Sequence, residues 1–124
     1  MYKVKSKLDK GFDVFAKSSN EQEYVLKMTE ADGPMDVFTV AFSGCILMCS
    51  KGYFFRKYEI LDLSIEIDLS FDYENRAYHA EIKVDYPDLT KEDIEGIIEN
   101  IKLRCKISHL LSDDVKATYE IIKK

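Results

Sequence analysis

From Leu61 to Tyr73 apolar and polar residues alternate without a break. Leu61, Leu63, Ile65, Ile67, Leu69, Phe71 and Tyr73 fall on one side, and Asp62, Ser64, Glu66, Asp68, Ser70 and Asp72 on the other. A period of two belongs to a strand with one face buried, because a helix would scatter these residues around its circumference. Glu74-Asn75 suits a two-residue turn. Pairing Tyr73 with Arg76 then sets Phe71 opposite Tyr78, Leu69 opposite Ala80, Ile67 opposite Ile82 and Ile65 opposite Val84. Every apolar side chain meets another, and a slip of one residue would undo all of these pairs together. A hairpin is therefore predicted over about 61–86, with Pro87 ending its second arm.

Two helices flank it. Asp32-Gly33-Pro34 is a start signal with proline at the first helical position. Asp36 follows in the first turn, where a negative charge suits the helix dipole. The predicted central helix, about 34–57, is apolar almost all round from Met35 to Phe55, so it belongs in a core or between subunits. Its run from Val37 to Cys49 contains Thr39, Ser43 and Gly44 and falls short of the roughly 20 apolar residues that span a bilayer. The second helix, about 90–105, has Thr90 as N-cap and Asp93 three residues on. Leu89 and Ile94 are placed as a hydrophobic staple. Ile94, Ile97, Ile98, Ile101 and Cys105 share its inward face.

The N-terminal stretch, about 1–30, reads as strands at Tyr2–Leu8, Phe12–Ala16 and Tyr24–Met28. Asp9-Lys10-Gly11 and Ser18-Ser19-Asn20 separate them. Ser108 to Asp114 forms a short helical turn or loop, and a last strand covers about 115–122. Strands and helices are segregated rather than alternating, so the fold is α+β. At 124 residues the chain (1–124) fits one domain.

Composition removes several functions. The net charge is −5, and no cluster of lysine and arginine interrupts it. Nucleic acid and anionic membrane surfaces are therefore not expected partners. Met1 to Lys7 lacks the apolar stretch of a secretory signal. Three irregularly spaced cysteines make a poor disulfide framework, which points to a reducing cytoplasm. There is no glycine-rich phosphate loop. Neither His79 nor His109 has a visible serine or cysteine partner in the sequence that would suggest a hydrolase triad.

The cysteines carry the remaining chemistry. Cys45 sits mid-helix beside Gly44, although glycine costs about 1 kcal/mol against alanine there. A small residue at that point would let another backbone, or a substrate, approach the thiol. Cys105 ends the inward face of the second helix. Both could be small core hydrophobes, or they could meet as a thiol pair. Cys49, one turn beyond Cys45, reads as packing or a spare thiol. A further alternative takes Cys45 with Cys49 and Cys105 with His109, two i, i+4 pairs, as a structural zinc site.

Gly33-Pro34-Met35-Asp36, then eight residues and Cys45, resembles the central-helix signature of the OsmC/Ohr family. Cys105-Lys106-Ile107-Ser108 is similar to that family's second cysteine motif, and the hairpin and amphipathic helix between them fit its order of elements. The resemblance covers roughly Gly33 to Ile122. It implies an α+β, OsmC-like fold of antiparallel sheets wrapped around long central helices in an intertwined homodimer. It also implies a thiol peroxidase that reduces organic hydroperoxides and needs no cofactor. Cys45 would be oxidised to a sulfenic acid, Cys105 would resolve it as a disulfide, and a dithiol reductant would restore both. Phe38, Phe42 and Leu47 would favour an apolar hydroperoxide. Asp36 is the possible supporting residue. The chain departs from the family's peroxidases in two respects: no arginine precedes Arg56, and Met35 stands where they carry glutamate, with Asp36 one place later. A non-catalytic relative that binds a small apolar or thiol-reactive ligand in the dimer cavity is the alternative implied.

Overall fold

In the computed structural model, which describes residues 1–9, 11–28 and 32–124, the chain order is strands, a long helix, a hairpin, two helices and a strand. These elements are β1 (Val4–Leu8), β2 (Val14–Ser18), β3 (Glu23–Leu26), α1 (Pro34–Tyr58), β4 (Ile65–Asp72), β5 (Ala77–Val84), α2 (Lys91–Arg104), α3 (Lys106–Leu110) and β6 (Lys116–Lys123). The fold class is α+β, as the segregated pattern predicts. Two compact units divide it, Met1–Val40 and Ala41–Lys124.

In the first unit β1, β2 and β3 form an antiparallel sheet in chain order. Leu8 pairs with Val14, so the first loop takes in Phe12, and β2 starts later than the apolar pattern suggested. Gly11 adopts a φ of 62°, the left-handed conformation that glycine enters without strain. Of the expected Asp9-Lys10-Gly11 turn, Lys10 lies outside the described residues, as do Thr29 and Glu30 of the N-terminal stretch. In the second loop the Ser18 hydroxyl accepts the Asn20 and Gln22 amides, each at 3.3 Å. β3 stops at Leu26 because the Lys27 amide turns to the Asp32 carbonyl at 3.0 Å.

In the second unit the hairpin takes the predicted register, with Ile65 opposite Val84, Ile67 opposite Ile82, Leu69 opposite Ala80 and Phe71 opposite Tyr78. The Arg76 amide bonds back to the Tyr73 carbonyl at 3.3 Å, closing the turn around Glu74-Asn75. β4 begins at Ile65, not at Leu61. The Asp85 amide still reaches the Ser64 carbonyl at 3.0 Å, but continuing the same register would bring Asp62 opposite Pro87, which has no N–H to give. β6 lies beside β5 and parallel to it, Ala80 facing Tyr119 and Ile82 facing Ile121. Such a pairing needs a crossover connection, which α2 and α3 supply.

Tyr78, Ala80, Ile82 and Val84 of β5 are buried, and so is Ile121 of β6. From α1 the buried stripe is Phe42, Ile46, Ser50 and Phe54, and from α2 it is Asp93, Ile97 and Ile101. The Phe42 ring meets Tyr78 edge-on at 4.8 Å, and Phe54 meets Tyr86 at 5.3 Å. Each such aromatic or aliphatic side chain contributes about 1.5–3 kcal/mol when fully buried. α1 ends at Tyr58, and the next residue, Glu59, holds a φ of 55° and donates its amide to the Phe55 carbonyl at 2.9 Å.

Candidate functional site

Three sulfurs converge in the second unit. α1 presents Cys45 and Cys49 one turn apart on one side, so their side chains stack along the helix. Cys105 sits where α2 stops. Its backbone is extended (φ −74°, ψ 103°), and it serves both as the C-cap of α2 and as the residue that opens α3. The break turns the chain while the Cys105 side chain stays inside, with no measurable exposure. The Cys105 thiol donates to the Cys45 sulfur at 3.2 Å, and the sulfurs of Cys45, Cys49 and Cys105 all lie within 4.8 Å of one another. A disulfide needs about 2.0 Å, so small rotamer adjustments separate the Cys45–Cys105 contact from a bond.

Polar contacts between α1 and α2 fix this meeting. Asn100 donates its amide to the Cys49 carbonyl at 2.6 Å and accepts from Arg56 at 2.6 Å. Two turns nearer the start of α2, Asp93 completes a capping box with Thr90. Its Oδ1 also accepts the hydroxyls of Tyr53 and Tyr58, each at 2.8 Å. Gly96 is necessary beside it, since a Cβ there would run into the Tyr53 ring.

The electrostatics keep two of the thiols neutral. Burial, and then the neighbouring Cys105 and Cys45, push the Cys49 thiol up to about 11. Burial also raises Cys105, while the amide and hydroxyl of Ser108 pull it back in part. Behind them the Tyr78 and Tyr119 hydroxyls share a 2.6 Å hydrogen bond. Both are raised above ordinary tyrosine, first by burial, with a contribution from Cys105. Cys45 and Cys49 are half-buried, and Cys45 is thus the reachable member of the pair it makes with Cys105.

The structure therefore brings Cys45 and Cys105 together and adds Cys49, whose spacing from Cys45 was the available signal. His109 does not join them. Its Nε2 lies 2.8 Å from the Lys102 carbonyl, and among the described residues the sulfur group holds three ligands, not the four of a structural zinc site. His79 bonds to the Thr118 hydroxyl at 2.6 Å, on the outer side of the sheet. Phe42 is fully buried against Tyr78 and Phe71, so it is core and not a substrate contact. Asp36 lies in the first unit, where its carboxylate accepts the Gly33 amide at 2.9 Å and caps the start of α1. Sequence reasoning missed the Tyr78–Tyr119 pair, because nothing local places β6 beside β5.

An α+β protein with a long cysteine-bearing helix, a hairpin and a second cysteine at the end of an amphipathic helix belongs to a recognisable class of thiol proteins. The chain is a member of the OsmC-like protein family, which it matches over residues 28–120. Comparison with curated proteins gave no match. Among solved structures it resembles an OsmC-like protein from Mycoplasma pneumoniae, with a TM-score of 0.73 and 14% identity, covering 99% of this chain and 96% of that one. It also resembles the organic hydroperoxide resistance protein OhrB of Bacillus subtilis, with a TM-score of 0.67 and 15% identity over 98% and 97% of the two chains. An organic hydroperoxide resistance protein from Legionella pneumophila matches with a TM-score of 0.64 and 11% identity over 100% and 96%. By length and composition α1 could cross a membrane. Members of this family are soluble, so the helix serves here as a packing element.

Proposed function

We propose that this protein is a cytoplasmic, thiol-dependent redox protein that reduces organic hydroperoxides through Cys45 and Cys105. The observation that carries the reading is the 3.2 Å contact between the two sulfurs. Cys45 is the nucleophile because Cys105 is wholly buried, and a peroxide must reach the attacking sulfur. The Cys45 thiolate attacks the outer peroxide oxygen, the O–O bond breaks, and the alkoxide leaves and takes a proton as the alcohol. The Cys105 sulfur then attacks the sulfenic sulfur, and water leaves as the disulfide closes. An external dithiol returns both thiols by exchange and is itself oxidised. Family membership supports the redox class, and the names of the Bacillus and Legionella proteins support the hydroperoxide.

The same reading makes the protein a homodimer. Met48 is 77% and Phe55 48% exposed on an apolar helix. Among the described residues nothing lies within 4 Å of where a Gly44 Cβ would point. A second copy of α1 would cover such a face and come close at Gly44. The test of the redox function uses Cys105→Ser. With the resolving thiol gone, an alkyl hydroperoxide should leave Cys45 as a sulfenic acid that dimedone captures, with no intramolecular disulfide. No dimedone adduct on Cys45 in the variant, together with no hydroperoxide consumed by the wild-type chain, would remove the reading. The non-catalytic alternative, a relative holding a small apolar or thiol-reactive ligand, is favoured by one observation: burial, the largest influence on each, leaves the Cys49 and Cys105 thiols raised.

A further inference from the structure

We propose that Cys45, Cys49 and Cys105 together form a binding site for a trivalent thiophilic metalloid, of the arsenite and antimonite class. This goes beyond the peroxide reading and does not rest on it, since it requires a third sulfur that the redox pair does not use.

A three-coordinate centre with sulfur bonds of about 2.3 Å needs its sulfurs roughly 3.3–4.0 Å apart, depending on how pyramidal it is. Cys45 and Cys105 are 3.2 Å apart, and no pair in the group exceeds 4.8 Å. Changes in side-chain rotamer cover the difference. Two sulfurs come from successive turns of α1, and the third comes from the break between α2 and α3. One helix could not supply all three to one point, because only residues three or four apart share a face.

Valence follows from charge. Three thiolates around a divalent ion leave a net negative charge, which burial disfavours at a site whose Cys105 is wholly enclosed. Three thiolates around a trivalent centre are neutral. Soft thiolate sulfur selects soft ions over those bound by carboxylates and carbonyls. Coordination number points the same way. Zinc in structural sites takes four ligands, whereas among the described residues this group holds three, with His109 engaged at the Lys102 carbonyl. Arsenous acid meets three protonated thiols without any redox partner. Three As–O bonds break and three As–S bonds form. Each hydroxide leaves as water with one thiol proton, and no oxidation state changes.

The test titrates the fully reduced, full-length protein with sodium arsenite and reads intact mass under native conditions together with the count of free thiols. The expected result is one arsenic per chain, with three hydrogens lost and all three thiols withdrawn. Cys49→Ser, with Cys49→Ala as a second variant should either fold poorly, should weaken arsenite binding by on the order of 100-fold, because the chelate loses one arm. Phenylarsine oxide, which has two exchangeable positions, should bind wild type and both variants equally. Equal arsenite affinity in the Cys49 variants, withdrawal of only two thiols, or no adduct at all would overturn the proposal. Disulfide formation by wild type with hydroperoxide is measured separately. A chain that binds arsenite through three sulfurs but forms no disulfide keeps this site and loses the redox function.

Discussion

Replacing Asp93 with asparagine tests how α1 and α2 are held together. The carboxylate is fully buried. Burial by itself would raise its pKa, but the hydroxyls of Tyr58 and Tyr53 and the amide and hydroxyl of Thr90 outweigh it and hold Asp93 at about 2. Against the ordinary aspartate value of about 3.9, that depression corresponds to about 2.5 kcal/mol of stability. The sign follows from the direction: the contribution is complete above pH 4 and fades as pH falls through about 2. Asparagine keeps the shape, and its carbonyl oxygen can still accept from both tyrosines. Its amide nitrogen cannot accept the Thr90 amide now bonded at 3.1 Å, so a donor faces a donor. Lost charge-assisted bonding of this kind costs about 1.5–3 kcal/mol, which agrees with the titration figure. Urea unfolding at fixed chain concentration should show Asp93→Asn less stable by about 2–3 kcal/mol at pH 7. The gap between variant and wild type should shrink as the pH approaches 2. A gap that stays constant down to pH 2.5, or one below about 0.5 kcal/mol at pH 7, would refute the reasoning.

Three further outcomes follow from the packing around α1 and the states of the three thiols. Gly96→Ala should lower the thermal midpoint, because the new methyl meets the Tyr53 ring; a cost of about 1–3 kcal/mol exceeds the helix-propensity gain of about 1 kcal/mol, and an unchanged or higher midpoint would contradict this. Glu59→Gly should stabilise by about 0.5–1 kcal/mol in urea, since Glu59 occupies a left-handed φ of 55° at the end of α1 that glycine adopts freely; a loss of stability would count against it. Iodoacetamide at pH 8 should label the half-buried Cys45 first, with Cys49 catching up only as pH approaches about 11 and Cys105, buried and raised, also lagging; peptide mass mapping that finds Cys49 labelled first would contradict the assigned thiol states.

The parts of the fold that were legible in the sequence are those governed by local rules. Alternation from Ile65 to Phe71 allowed one register, because any slip exposes four apolar residues at once. Thr90 and Asp93 marked a helix start by their own chemistry. The meeting of Cys45 and Cys105 could be anticipated only through the inward faces of two helices and a family likeness. What escaped reading depends on partners distant in the chain. Asp93 reads as a cap, and only the folded unit brings Tyr53 and Tyr58 onto its oxygen. The parallel seat of β6 depends on a crossover that no residue of β6 announces. Glu59 follows α1 in a conformation usually given to glycine, so the sequence carries no mark of it. The strand limits before residue 30 shifted because loop hydrogen bonds, not apolar pattern, set them.

The most direct test of the redox account is peptide mapping, without reductant, after one equivalent of cumene hydroperoxide. The account predicts a single cross-linked species joining the peptides of Cys45 and Cys105, with Cys49 recovered as a free thiol. A bridge that includes Cys49, or three free thiols beside unconsumed hydroperoxide, would contradict it.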